Sequence, residues 1–404
     1  MKQSLHEKKQ KFDKSVSTII NIVIITVVSS FPVFYPGAIN DILQHDLNVQ
    51  AYVIGLLFSL FWLSSVAGAN FNRKQNDILD LRKSMFLVLI FISTSVLIMS
   101  IGSLYSLGLG VLISGWLYGY SQPLTNQMIT NNCNSKYQGL AFGIKQAAIP
   151  LATIIASISI GVILNIGWQT FLIFTSVFIV SYSLIFIRNQ KKITGKKSNM
   201  SKRSNFVAGS KLKKMAFVGF LGGAIGNSLA AYLVASLVLQ GISITNSGLI
   251  AAVGAIGNIL VRVISGTLID KKVINPLNLL ILIFFCGSVG AVFLQINHSL
   301  LLIIGTVLAY GIGWGWPGIL HYLVSIQHPG REAKATSVTQ MGVSFGSATG
   351  PVLFGILYVL ISVHFAWFTL IVFGALACII LLNLRLENKN EKRLDNGFYS
   401  IEGT

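Results

Sequence analysis

Twelve apolar runs of bilayer length leave this 404-residue chain little freedom of architecture. They lie at 17–38, 51–70, 84–104, 106–129, 139–163, 168–188, 214–238, 246–268, 275–295, 299–324, 336–360 and 364–384. A bilayer core takes about 20 residues of helix, and inside it every backbone N–H and C=O must be paired within the segment. The runs therefore predict an all-α membrane protein of twelve spanning helices. Composition agrees: 10% of the residues are charged, against about a quarter in soluble domains.

The cations orient the chain. None of the 30 Lys and Arg falls in a loop that lies outside when the N-terminus is inside. They gather in the N-terminal tail, in FNRKQNDILDLRK (71–83), in the central segment 188–214 and in the C-terminal tail. Positive residues mark inside loops, so both termini are expected in the cytoplasm, with the chain in the cell membrane. This distribution also accounts for the net charge of +18 without a nucleic-acid partner, because no aromatic platform interleaves the basic residues. The basic start MKQSLHEKKQKFDK is followed by a run too long for a signal core and without a small-x-small site. Cys133, Cys286 and Cys378 lack metal or redox spacing, and nothing calls for a metal or a cofactor.

The central segment, with ten basic residues and no acidic one, separates two sets of six runs. The expected organisation is a tail (1–16), a six-helix bundle (17–188), a self-repelling linker (189–213), a second bundle (214–384) and a second tail (385–404). The halves echo one another. GANFNRK (Gly68–Lys74) ends the second run and GTLIDKK (Gly266–Lys272) ends the eighth; aligning Gln146 with Gln340 brings Gly161 onto Gly355. Duplicated bundles of this kind move solutes by alternating access.

On these motifs the chain resembles major facilitator superfamily transporters over essentially its whole length. The resemblance implies a gating motif, glycine-x-x-x-aspartate-basic, after the second helix, with a copy after the eighth. The second copy is kept as Gly266, Asp270 and Lys271. The first has Gly68 and Arg73 but Asn72 in place of the aspartate. The arginine that many proton-driven drug exporters carry in the fourth helix is absent from LGLGVLISGWLYGYSQP. In the eighth run, Asn258-x-x-x-Arg262-x-x-x-Gly266-x-x-x-Asp270 is similar to oxalate/formate antiporters and monocarboxylate porters, where that arginine meets a substrate carboxylate. AFGIKQAAIP and YGIGWGWPG look like cyanate-type bacterial permeases.

The residues themselves pose the same question. Gly254, Asn258, Arg262 and Gly266 recur every fourth position, a small and polar stripe that faces a bundle interior rather than lipid. An arginine near a helix centre costs about 2.5–3.5 kcal/mol on insertion scales, which marks Arg262 as a substrate contact. The competing reading is that Arg262 snorkels to the inner surface or bonds to loop carbonyls. Lys145 shares a face with Ala148, Ala152, Ala156 and Ser159 and stands nearer the inner edge, so snorkelling competes more strongly there. None of the twelve Asp and Glu lies in mid-membrane. Two cations without a buried acid imply a positive cavity, and a guanidinium fork suits a carboxylate.

Tyr118, Tyr120, Trp314 and Trp316 fall in the fourth and tenth runs, which line the cavity in the family's architecture, and are expected to wall a site; the competing reading is anchoring at the membrane interface. Asn227, Gln146 and Gln340 are mid-span amides able to bond substrate or bridge helices. His321 and Asp41 are the candidate proton-coupling groups, Asp41 in the outer loop after the first helix; a satisfied structural histidine is the competing reading for His321. Gly342, Gly346, Gly350 and Pro351 suit close packing followed by a bend. No nucleophile elbow or phosphate loop is present, so an enzyme is not expected. The expected function is a monomeric secondary transporter of a small organic or inorganic anion. The alternative is an exporter of neutral or amphipathic compounds.

Overall fold

The computed structural model describes residues 2–74, 81–133, 138–189, 208–328 and 332–399. Its first six crossings are α1 (Lys2–Ala38), α3 (Ala51–Lys74), α4 (Leu81–Met99), α5 (Leu104–Asn132), the pair α6 (Gln138–Ile158) and α7 (Ile160–Ile166), and α8 (Trp168–Asn189); the short α2 (Asn40–Leu47) follows α1. The second six are α9 (Ser210–Leu239), α10 (Ile244–Asp270), α11 (Pro276–Phe293), a broken crossing of α12 (Ser299–Thr306) and α13 (Pro317–Gln327), α14 (Glu332–Leu360) and α15 (Val363–Tyr399). Ten crossings are long and apolar enough by themselves, and α6 with α7 makes another, bent by 41°. In α5, 29 residues long, Gly, Ser and Tyr dilute the apolar run without shortening it.

Local signals set the ends. Ser103 and Ser106 form a reciprocal capping box at the start of α5. The Asn275 side chain accepts from the Leu277 N–H, and Pro276 opens α11 where no N–H is needed. Gly167, at φ 82°, turns the chain from α7 into α8.

Several expectations need correction. The region after the first crossing is not a loop but α2, with Asp41 in its first turn and Asp46 accepting from Trp168 Nε1 at 3.0 Å. Helix α9 begins at Ser210, four residues before the expected 214. Helices α1 and α15 run on past the apolar spans, to Lys2 and Tyr399. The expected disorder of the central segment concerns mainly 190–207, outside the described residues.

Packing within each half follows small residues. In the second half α14 lies along α9: a Cβ on Gly342, Gly346 or Gly350 would strike the backbone of Ala216, Phe220 or Ala224. In the first half Gly115 and Gly119 of α5 meet the Phe61 and Ser65 backbones of α3 in the same way. Close approach of this kind replaces the hydrophobic drive that lipid removes. The halves then meet along two equivalent seams, α3 with α14 and α6 with α10, with α1 against α9 between them.

Twelve crossings return both ends of the chain to one face. From the opposite face inward, Asn40 Nδ2 donates to the Ala231 carbonyl at 2.7 Å and the Tyr232 hydroxyl donates to the Ala51 carbonyl at 3.0 Å. Deeper, the Ser59 hydroxyl bonds the Ala348 carbonyl, and Trp62 Nε1 donates to Asn227 Oδ1 at 2.9 Å.

Candidate functional site

The tenth crossing breaks at its centre, and that break positions the site. After α12 the chain makes a π-helical stretch, Val307–Ile312, then leaves helical geometry until Pro317 restarts it as α13. Gly311, Gly313 and Gly315 weaken the helix there, and Pro317 cannot donate a backbone bond. Carbonyls released in a membrane interior need other donors. Helix α10 supplies them: Asn258 Nδ2 donates to the Tyr310 and Gly311 carbonyls at 3.2 and 3.0 Å, and Arg262 Nη2 to the Trp314 carbonyl at 3.2 Å. Gly254 and Gly257 allow α10 to approach, meeting Thr306, Tyr310 and Gly311. The polar stripe thus faces protein, except Gly266, which is exposed with open space around it.

Arg262 also crosses the seam. Its Nη1 donates to the Gln146 carbonyl of α6 at 2.9 Å, and its guanidinium lies 5.8 Å from the centre of the Trp314 ring. The Arg262 Nε is buried without a hydrogen-bond partner, as is Asn258 Oδ1. Arg262 does not snorkel; it is pinned between two backbone carbonyls, one from each half.

Lys145 does not snorkel either. It is 2% exposed, and its ammonium donates to Asn126 Oδ1 at 2.6 Å and to the Gln122 carbonyl at 3.3 Å, both on α5. Tyr118, Gln122 and Asn126 succeed one another at four-residue spacing and so share a face of that helix. The Gln122 Nε2 is buried without a partner. Among the described residues no aspartate or glutamate is buried. Every named oxygen on the two cations belongs to a carbonyl or an amide.

The remaining candidates divide. Tyr118 packs on Phe61 and Trp62, with ring centres at 5.4 and 5.8 Å, on the side of Arg262. Trp314 meets Phe34 of α1 edge-on at 5.8 Å, so it belongs to the seam. Tyr120 does not: two helical positions on, it points away and stacks on Trp116 at 5.4 Å. Trp316 also turns away from the seam, because side chains two apart in the irregular stretch fall on different sides. It is 1% exposed, over Gly222 and stacked on Phe284.

The Asn227 amide is spoken for, receiving from Trp62 and donating to the Gly223 carbonyl at 3.0 Å and the Ser347 hydroxyl at 2.8 Å. In this conformation it bridges the halves. Gln146 contributes its carbonyl, its side chain being exposed. Gln340 and Thr339 both reach the ring of His321, the latter at 3.2 Å from Nδ1, within the second half. Asp41 lies at the far face, remote in sequence and element from the two cations. Of the gating motif, Gly68 is buried against the Trp116 carbonyl, Lys271 is exposed, and the side chains of Arg73 and Asp270 lie outside the described residues. Sequence reasoning passed over Gln122 and Asn126. Their spacing from Tyr118 was the available signal.

Comparison with known proteins follows this geometry. The family model described as Major Facilitator Superfamily matches residues 22–338. The fold is similar to a bacterial homolog of the human lysosomal transporter Spinster, inward-facing and unoccupied, at TM-score 0.71 and 14% identity, covering 91% of this chain and 96% of that one. It is similar to the nucleoside transporter NupG at TM-score 0.69 and 12% identity, covering 91% and 98%. The human organic anion transporter MFSD10 (TETRAN) gives TM-score 0.63 and 13% identity over 90% and 99%. No curated protein matches the sequence at a significant level. At these identities the likeness carries the fold.

Proposed function

The chain belongs to the Major Facilitator Superfamily, and from that premise we propose that it is a secondary transporter of a small organic or inorganic anion working by alternating access. One observation carries the reading: Arg262 and Lys145 are held on adjoining elements of one seam by uncharged oxygens among the described residues. A buried cation in a membrane protein ordinarily pairs with an acid or marks a ligand path. Among the described residues no acid stands beside them, and the arginine fork retains an unused Nε. A carboxylate or similar planar anion supplies both the charge and the acceptors.

The same bonds suggest how binding couples to motion. Arg262 spans the halves through the Gln146 carbonyl, a neutral acceptor. Bonds to ionised acceptors are roughly twice as strong as neutral ones, so an arriving anion draws Arg262 off that carbonyl and loosens the α6–α10 seam. The positive-inside pattern supports an orientation with both termini in the cytoplasm. In that orientation the cross-bundle bonds from Asn40, Tyr232 and Ser59 close the outer side.

The test is isotope uptake into proteoliposomes with formate, acetate, oxalate and cyanate. Wild type is expected to accumulate at least one of them, and Arg262→Ala to lose that uptake while reconstituting normally. Normal uptake by Arg262→Ala overturns the anion site. Movement of hydrophobic dyes alone, with no anion uptake, favours the exporter reading instead.

A further inference from the structure

Lys145 is seated in an unusual way for a buried cation. Its ammonium has three protons to donate, and its two named acceptors, Asn126 Oδ1 and the Gln122 carbonyl, are neutral. Lys145 is 2% exposed, whereas Asn126, which accepts from it, is exposed. An aspartate has nearly the shape of asparagine and would give Lys145 a full counter-charge at the same place. The chain has the amide instead.

The neighbouring donors point the same way. Gln122, one turn before Asn126 on the same face, has an Nε2 buried without an acceptor. Across the seam, Arg262 Nε is also buried without one, and Arg262 bonds the carbonyl of Gln146, the residue after Lys145. Leaving a buried donor unpaired costs stability unless a ligand or water completes it. Two unpaired donors beside two cations that no acid among the described residues neutralises ask for an acceptor that carries negative charge.

We infer that Asn126 is a specificity determinant of the site: it positions Lys145 through an uncharged oxygen, so that the lysine's charge remains available to an anion, with Gln122 as a further donor to that anion. The inference rests on the anion reading above and extends the site from α6 and α10 to α5. Asn126 acts through Lys145 and is a positioning residue; Gln122 is the contact.

Asn126→Asp tests this in the full-length protein, with the same labelled formate, acetate, oxalate and cyanate. The variant is expected to raise KM for the transported anion by about tenfold or more, equivalent to one order in affinity, while its melting temperature in detergent holds or rises because an ion pair has replaced a neutral bond. Asn126→Ser, which keeps a neutral acceptor, is expected to stay near wild-type KM. A purely structural role for Asn126 would instead lower both stability and maximal rate with KM unchanged, and that result overturns the proposal. So does wild-type KM in Asn126→Asp. Should that variant fail to reconstitute, Gln122→Glu places the carboxylate one turn away, and unchanged uptake there counts equally against it. The two readings fail separately: no anion uptake by wild type sinks the transport reading, whereas loss in Arg262→Ala with none in Asn126→Asp sinks only this one.

Discussion

Asn258 shows how one side chain can be both structural and part of a candidate site. Its Nδ2 serves two carbonyls released by the broken crossing, while its Oδ1 is buried without a donor. Asn258→Ala leaves both carbonyls unsatisfied. Interhelical bonds in membranes average about 0.6 kcal/mol with a maximum near 1.7, and unpaired buried groups cost about 1–3. The expected loss is therefore about 1–2 kcal/mol, read as a lowered melting temperature in detergent. Wild-type melting would mean that water serves those carbonyls equally well. Arg262→Lys separates charge from geometry at the neighbouring position. It keeps the positive charge but cannot span Gln146 and Trp314 as a planar fork. Anion uptake is expected to fall by about tenfold or more, on the scale of one lost charge-assisted bond. Full activity would make Arg262 a simple point charge. Arg262 and Lys145 were legible in the sequence because a charge in an apolar run stands out. Gln122 and Asn126 were not, since an amide near a helix end reads equally well as surface.

At the scale of elements, the two copies of the glycine motif are packed oppositely. A Cβ on Gly68 would collide with the Trp116 carbonyl oxygen, backbone that cannot turn aside, whereas Gly266 has nothing within 4 Å. Gly68→Ala is thus expected to abolish a monodisperse folded species in size-exclusion chromatography. Gly266→Ala is expected to match wild type or gain up to about 1 kcal/mol from helix propensity. Equal behaviour of the two variants would contradict this packing. The copy closer to the family pattern in sequence is the looser one in structure. Element lengths were legible because the bilayer dictates them, and the twelve windows fall on the twelve crossings. The interruptions were harder to see. YGIGWGWPG carries Gly and Pro enough to announce a break, yet a break is tolerable only where donors such as Asn258 and Arg262 lie opposite, and those come from another element. The same reasoning separates Trp314 from Trp316: a regular helix puts them 200° apart, but only the irregular backbone decides which one meets Phe34.

At the scale of the whole molecule, duplication makes the interface. The α3–α14 and α6–α10 seams are the same pair of helix types taken from opposite halves, so one repeat of the sequence generates both. Gln146 aligned with Gln340 hinted at this, but no sequence spacing pairs Asn40 with Ala231 or Trp62 with Asn227, contacts separated by well over a hundred residues. Those contacts define what must move. If the halves rock, the bonds at the far face have to part each cycle while the glycine-packed pairs inside each half, α9 with α14 and α3 with α5, stay together. Cysteines at Asn40 and Ala231, in a chain whose Cys133, Cys286 and Cys378 are replaced by serine, make the distinction measurable. Asn40 reaches the Ala231 carbonyl at 2.7 Å, so a short bis-methanethiosulfonate can bridge the two positions through reducible disulfides. Bridging is expected to stop anion uptake and reduction to restore it, while the same treatment of either single-cysteine chain changes nothing. A bridged protein that still transports at the unbridged rate would mean that the far face need not open, and the rocking of two rigid halves would have to be abandoned.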